Sequence, residues 1–418
     1  MGMTISEKIL AKAAGKRKVE PGEVVRARPC FSTSHDFYTY PTWTGRLDRI
    51  GMKKLANPER VAVVADHFIP ATTLTWANNH RGLRNWAEKF GVKYFYYGEG
   101  ISHQIMAEKG HALPGEFLAS DDFECTTLGG VGCFAAGIGT SILEAYALGT
   151  LWMRVPTSIK VELTGSLKKG VTTRDLSQRV IGDLGDGGAL YSVVEFAGPA
   201  VSQISVDDRM SLCARLVYTG AKTAIVSPDE KAIKYAKGRA KASFDPVTSD
   251  PDATYLEVLK YNLSELEPVL AAPPSPVNSQ PISKFKGTRI DQAYIGSCAS
   301  GRLDELRRVA RILDKRRAAA HVKFIVAPSS AEVLKGLSEE GLLGTFLESG
   351  AILGSPGCGV CFGSYGGLLA SGEVCISTTT NNVAGRMGSS EAQIYLGSPE
   401  TVAASAIEGK IADPRDYL

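Results

Sequence analysis

Apolar positions in this chain fall into short runs separated by glycine. Residues 60–65 (Arg-Val-Ala-Val-Val-Ala) and 293–296 (Ala-Tyr-Ile-Gly) are continuous apolar segments that end in turns. Runs this short, without alternation, predict strands buried on both faces. Residues 159–163 (Ile-Lys-Val-Glu-Leu) also predict a strand. Between such runs lie stretches with helical spacing, at 303–317 and 330–337. Alternating strand and helix patterns predict α/β layers built on mostly parallel sheets. The proline-rich stretch at 271–276 (Ala-Ala-Pro-Pro-Ser-Pro) breaks any helix and reads as an interdomain linker. A softer boundary lies at Val155-Pro156.

Length sharpens this picture. A chain of 418 residues suggests two or three domains. The formal charge of +3 is too balanced for a nucleic-acid-binding face. No apolar run reaches the roughly 20 residues needed to span a membrane. The N-terminal segment lacks the apolar core of a signal peptide. These features predict a soluble cytoplasmic protein, in which disulfides are disfavoured.

The eight cysteines therefore need another account. Most can pack as small apolar side chains. Cys358 and Cys361 fit that reading poorly, because they form a CxxC within Gly357-Cys358-Gly359-Val360-Cys361-Phe362-Gly363. Alone, a CxxC is compatible with redox, zinc or iron–sulfur chemistry. Cys298, in Gly296-Ser297-Cys298-Ala299-Ser300-Gly301, also follows a predicted strand and has small neighbours. Three loop thiolates without a fourth ligand suit a [4Fe–4S] cluster with one open iron, which would act as a Lewis acid on a hydroxy acid. His67, beside Asp66, has the character of a general acid for a departing hydroxide.

Many ordered motifs then point one way. They include residues 2–10 and 19–24, Asp66-His67-Phe68, Gly182 to Ala189, Val194-Glu195-Phe196, both cysteine motifs, Ser377-Thr378-Thr379 and Gly385-Arg386-Met387-Gly388. With these motifs the chain resembles the large subunits of the isopropylmalate isomerase and homoaconitase type, in the aconitase superfamily. The resemblance implies three α/β/α domains, at about 1–156, 157–284 and 285–418, around a central cleft. It implies a [4Fe–4S] cluster on Cys298, Cys358 and Cys361, and hydroxide departure assisted by Asp66 and His67. It pairs His103 with Asp121 and places Arg386 on a substrate carboxylate. It also implies a small partner subunit carrying the base that takes the α-proton. His35, His80, His111 and His321 match none of these motifs and read as structural or surface residues.

Several positions depart from the family pattern. Asp-Ser-His-Thr is replaced by Asp121-Asp122-Phe123-Glu124. A helical Asn and Glu pair is replaced by Ala214 and Tyr218, and an Asn-Arg by Thr380-Asn381. Loss of an Arg–carboxylate fork weakens the grip on a polycarboxylate, and Asp122 repels an anion. Phe123, Tyr218 and Asn381 suit a bulkier or less charged ligand. Tyr218 is a candidate replacement for the missing Glu. Asp122 is a candidate acid or base, provided desolvation raises its pKa. The expected activity is dehydration of a hydroxy acid or hydration of the matching alkene. The alternative is a cluster-binding sensor or scaffold without turnover.

Overall fold

The computed structural model describes residues 2–363 and 366–418. Val61–Ala65, entirely buried, is a central strand of a five-stranded parallel sheet. The spatial order of that sheet is Tyr94–Tyr97, Val61–Ala65, Phe31–His35, Phe117–Ser120 and Phe134–Gly137. Successive side chains of a strand point to opposite faces. Val61 and Val63 accordingly join one core with Leu83 and Trp86 of the helix Leu74–Lys89. Ala62 and Val64 join a second core with Ile105 and Met106 of the helix Ser102–Glu108. The chain order reverses direction between Phe31–His35 and Phe117–Ser120. Such a switch leaves a crevice at the carboxyl ends of the two strands.

A second parallel sheet, of four strands, runs Thr223–Val226, Ser192–Ala197, Thr157–Thr164 and Glu257–Asn262. A third has seven strands, in the order Ser279–Pro281, Val269–Ala271, Gln393–Leu396, Val374–Ser377, Gln292–Ile295, Lys323–Val326 and Ile352–Leu353. Its last five strands are parallel, and the first two form an antiparallel hairpin at the edge. The proline-rich stretch expected to be a linker is the end of one hairpin strand and the connection to the next, because Val269–Ala271 pairs back onto Ser279–Pro281. The third sheet has its own switch, between Gln292–Ile295 and Val374–Ser377.

The helix expected at 303–317 is Leu303–Leu313, which buries Leu306, Val309, Ala310, Ile312 and Leu313. Its start is fixed by Glu305, whose carboxylate accepts the Arg302 N–H at 3.0 Å. The helix expected at 330–337 is Ala331–Glu339, capped by Ser330 Oγ, which accepts from Val333 N–H at 3.1 Å.

The carboxyl ends of the first and third sheets meet. Backbone bonds cross between them from Cys358 N–H to the Asp66 carbonyl (2.8 Å), from Ile101 N–H to Ser329 (2.9 Å) and from Ala331 N–H to Glu99 (2.8 Å). Gly357 is required at this seam, since a Cβ there would lie 2.8 Å from the Asp66 carbonyl oxygen. Both switch crevices thus open onto one space. Among the described residues, no helix is long and apolar enough to cross a membrane.

Candidate active site

The shared space is a cleft of about 260 Å³. The first sheet supplies it with the residues that follow its strands: His35 after Phe31–His35 begins to turn, His67 after Val61–Ala65, and Asp121 and Asp122 after Phe117–Ser120. His103 enters from the first turn of Ser102–Glu108. The third sheet supplies Cys298, Cys358, Cys361, Thr380, Asn381 and Arg386, and the second layer supplies Tyr218. The remaining wall includes Phe37, Tyr38, Phe123, Glu124 and Phe362.

His67 is held from behind. Its Nδ1 lies 2.8 Å from Asp66 Oδ1 and 3.5 Å from Asp36 Oδ1. Asp36 also accepts the His67 and Phe68 backbone N–H groups at 3.1 and 3.2 Å, and contacts His80 Nε2 at 2.9 Å. Burial alone would lower the His67 pKa, but the Asp66 carboxylate, reinforced by Asp36, holds it well above its ordinary value. The ring therefore enters the cleft charged, with Nε2 4.0 Å from Asp122 Oδ2. Asp66 Oδ2 also accepts the Ser102 N–H at 2.7 Å, which fixes the helix that carries His103. His80, expected to be structural, serves this same Asp36 hub.

Asp122 lies among three histidines. Its carboxylate oxygens are 3.3 Å from His35 Nε2 and 3.5 Å from His103 Nε2, besides the His67 contact. His35 Nδ1 accepts the Phe37 N–H at 3.1 Å, which leaves its Nε2–H directed at the acid. Two expectations change here. His103 pairs with Asp122, whereas Asp121 faces His35, accepting its backbone N–H at 3.1 Å with Nε2 at 3.7 Å. Desolvation also does not raise the Asp122 pKa on balance. Burial pushes it up, but His103, the Glu124 carboxyl and His35 hold it well below the usual carboxylate range. Burial does prevail at Asp121, which is pushed up to about 7.

Glu124 and His35 were missed as site residues. Glu124 Oε1 accepts from the Tyr218 hydroxyl at 2.7 Å and from Thr380 Oγ1 at 3.4 Å. Burial and the neighbouring Asp122 carboxylate push Glu124 up to about 7. The signal that could have found it is an ionisable residue three positions after Asp121, within a segment the resemblance already placed at the site. His35 could have been found from the strand-to-turn boundary that it ends.

The three candidate ligand thiols lie in this cleft, and all are buried. The Cys358 thiol holds Cys361 well below the ordinary thiol range, with Arg386 assisting. Arg386 Nε donates to the Cys361 carbonyl at 2.9 Å, Nη2 lies 3.9 Å from its sulfur, and the guanidinium sits 4.8 Å from the Phe362 ring centre. Cys125, Cys133, Cys213 and Cys375 are buried in the apolar cores and do not line the cleft. Three thiols lining one cleft, with the Arg386 cation beside them, are a suitable donor set for an iron–sulfur cluster. Ser297, just before Cys298, adopts φ +80°, a conformation disfavoured for a residue with a side chain. Its Oγ accepts the Ala299 N–H at 3.2 Å and shapes the turn that presents Cys298.

Three buried arginines hold the loops from outside the cleft. Arg302 donates to the Cys298 carbonyl (2.6 Å) and to Gln104 Oε1 (2.8 Å). Arg174 donates to the Thr379 carbonyl at 2.7 Å, and Arg215 to the Thr380 carbonyl at 3.0 Å. Of the other expected residues, Asn381 Oδ1 accepts the Val383 N–H at 3.0 Å, and Phe123 stands at the rim with 56% of its surface exposed.

The aconitase family (aconitate hydratase) pattern matches residues 7–288 and 280–409. The chain belongs to the aconitase family. It is 44% identical to a 3-isopropylmalate dehydratase large subunit of Pyrococcus furiosus, over 100% of this chain and 99% of the relative. It is 42% identical to one of Methanopyrus kandleri over the whole of both chains, and 41% identical to one of Aquifex aeolicus over 100% and 98%. Among solved structures it resembles the holo-form of Thermococcus kodakaraensis aconitase X, with a TM-score of 0.51 and 12% identity over 85% of this chain and 84% of the other. That likeness concerns the fold. Within the aconitase family the chain is of the isopropylmalate-dehydratase large-subunit type.

Proposed function

We infer that this chain is the cluster-binding subunit of a hydro-lyase that dehydrates a hydroxy acid or hydrates the related alkene acid. The observation that carries the reading is the convergence of Cys298, Cys358 and Cys361 with the Asp66–His67 pair on one cleft. A [4Fe–4S] cluster on these thiolates supplies a Lewis acid for a substrate hydroxyl and carboxylate. His67, kept protonated by Asp66 and Asp36, gives its proton to the departing hydroxide, so that water leaves. The same two carboxylates fix the ring so that only Nε2 reaches the cleft. Arg386, anchored on the Cys361 carbonyl, receives a substrate carboxylate.

The substrate is bulkier or less anionic than isopropylmalate. Asn381 takes the place of an arginine, Asp122 adds negative charge, and Phe37, Tyr38, Phe123 and Phe362 offer aromatic wall. A small subunit completes the enzyme, by analogy with relatives named large subunits.

The test is turnover by the anaerobically purified chain with its small subunit. The panel runs from isopropylmalate to less charged acids such as phenyllactate. Turnover of the less charged acids, with isopropylmalate poor, is the expected result. Robust turnover of isopropylmalate contradicts the altered specificity. A cluster without turnover of any panel member favours the sensor or scaffold alternative.

A further inference from the structure

The turn after Phe117–Ser120 brings an acid into the cleft and fixes it there. Asp122 caps the short helix Phe123–Val131 by accepting the Glu124 N–H at 2.9 Å, and its own N–H is held by Ser120 Oγ at 3.1 Å. The turn lies tight against the neighbouring strand, where a Cβ on Gly137 would come within 2.6 Å of Phe123 Cα. Asp122 therefore has little room to swing aside. Three ring nitrogens converge on its carboxylate: His35 Nε2 at 3.3 Å, His103 Nε2 at 3.5 Å and His67 Nε2 at 4.0 Å. The His35 nitrogen is a donor, because Nδ1 of that ring accepts the Phe37 N–H. The His67 ring is charged through Asp66 and Asp36. Donors converging in this way, at the carboxyl ends of strands, are a receptor for a carboxylate from outside. Here the chain supplies that carboxylate itself.

The place left for a substrate carboxylate lies elsewhere. Among the described residues of the cleft wall, Arg386 is the one arginine or lysine. Its Nη2 is 3.9 Å from the Cys361 sulfur, so a carboxylate held by Arg386 is the one next to the cluster site. A second carboxylate would meet Asp121, Asp122 and Glu124. We propose that Asp122 determines specificity by filling, with the chain's own carboxylate, the place of a second substrate carboxylate, so that the cleft accepts hydroxy acids with one carboxylate and refuses dicarboxylates. The proposal rests on the hydro-lyase reading and narrows its substrate class. The part of the substrate that faces the histidines is then uncharged, in keeping with the aromatic wall of Phe37, Tyr38 and Phe123. The His67 contact is the longest of the three, beyond hydrogen-bond range, so the His67 proton is not committed to Asp122.

The experiment measures acid binding to the full chain with its cluster by calorimetry, with isopropylmalate as the dicarboxylate probe and phenyllactate as the monocarboxylate probe. Asp122→Asn keeps the helix cap and removes the charge. It should bind isopropylmalate about 10- to 100-fold more tightly than the wild type, with a change of less than about threefold for phenyllactate. Asp122→Ser also keeps a cap and vacates the carboxylate place. Acetate should raise its thermal midpoint and leave that of the wild type unmoved; acetate without effect on Asp122→Ser overturns the proposal. So does an unchanged affinity of Asp122→Asn for isopropylmalate, or tight isopropylmalate binding by the wild type. An equal gain for both acids overturns it too, since Asp122 would then repel anions in general and fill no particular place. If the affinities shift as expected but neither acid is converted once the small subunit is added, the hydro-lyase reading fails while the filled carboxylate place holds. If the wild-type complex converts phenyllactate and Asp122→Asn gains no affinity for isopropylmalate, the hydro-lyase reading stands and this proposal falls.

Discussion

His67 shows what one side chain needs in order to keep its charge in a buried place. Two carboxylates behind the ring outweigh desolvation, so its charge survives burial. Replacing His67 with Gln keeps the size but removes the proton, and should lower kcat by about 10²–10⁴-fold with little effect on KM. Steady-state kinetics with an acid that the wild type turns over will check this. Asp66→Asn should leave the ring in place but remove its main source of charge, so the acidic form of His67 would be lost at a lower pH than in the wild type. The high-pH limb of the kcat profile should move down accordingly; an unmoved limb argues against this support. Asp66-His67 and the cysteines were legible in the sequence because each lies in a short turn after an apolar run. The partner of His103 was not, since the choice of Asp122 over Asp121 depends on how the turn after Phe117–Ser120 meets the helix Ser102–Glu108 in space.

Elements were legible where the apolar pattern is strong. The strands at 61–65 and 292–295 and the helix that begins at Leu303 follow the expected positions closely. The proline-rich stretch misled because proline stops a helix equally well in a linker and at a hairpin end, and only the pairing of Val269–Ala271 with Ser279–Pro281 distinguishes the two. The seam between the first and third sheets was also invisible, being made of backbone groups. It makes a prediction at this scale. Gly357→Ala places a methyl against the Asp66 carbonyl oxygen, at 2.8 Å before relaxation. We expect a cost of about 1–3 kcal/mol in unfolding free energy and reduced iron retention, because the loops of Cys358 and His67 must separate. Denaturant unfolding and iron analysis will check both.

At the scale of the molecule, buried charges join the layers. Arg302 links the Cys298 loop to Gln104 of the first layer. Arg302→Ala leaves these acceptors without their donor, and should cost about 3–5 kcal/mol, measured by chemical unfolding. Buried carboxyls also set a pH trend. Burial pushes Asp121, Asp175 and Glu305 each up to about 7. The unfolded chain releases those protons at about pH 4. Between these limits the folded chain binds more protons, so stability must fall as pH rises. His67, held well above its ordinary value, adds a loss in the same direction above about pH 6.5. Asp122, held low, acts oppositely, and its contribution is lost as pH falls below about 4. The thermal midpoint should therefore be higher near pH 5 than near pH 8; a rise over that interval contradicts the assignment.

The central claim is that Cys298, Cys358 and Cys361 converge to hold one cluster. Its most direct test is iron and sulfide content per chain after anaerobic purification. The wild type should hold about four of each. Single Cys→Ala changes at these three positions should remove most of both, while Cys125→Ala and Cys213→Ala should not. A Cys298→Ala protein with its full complement of iron and sulfide would contradict the assignment.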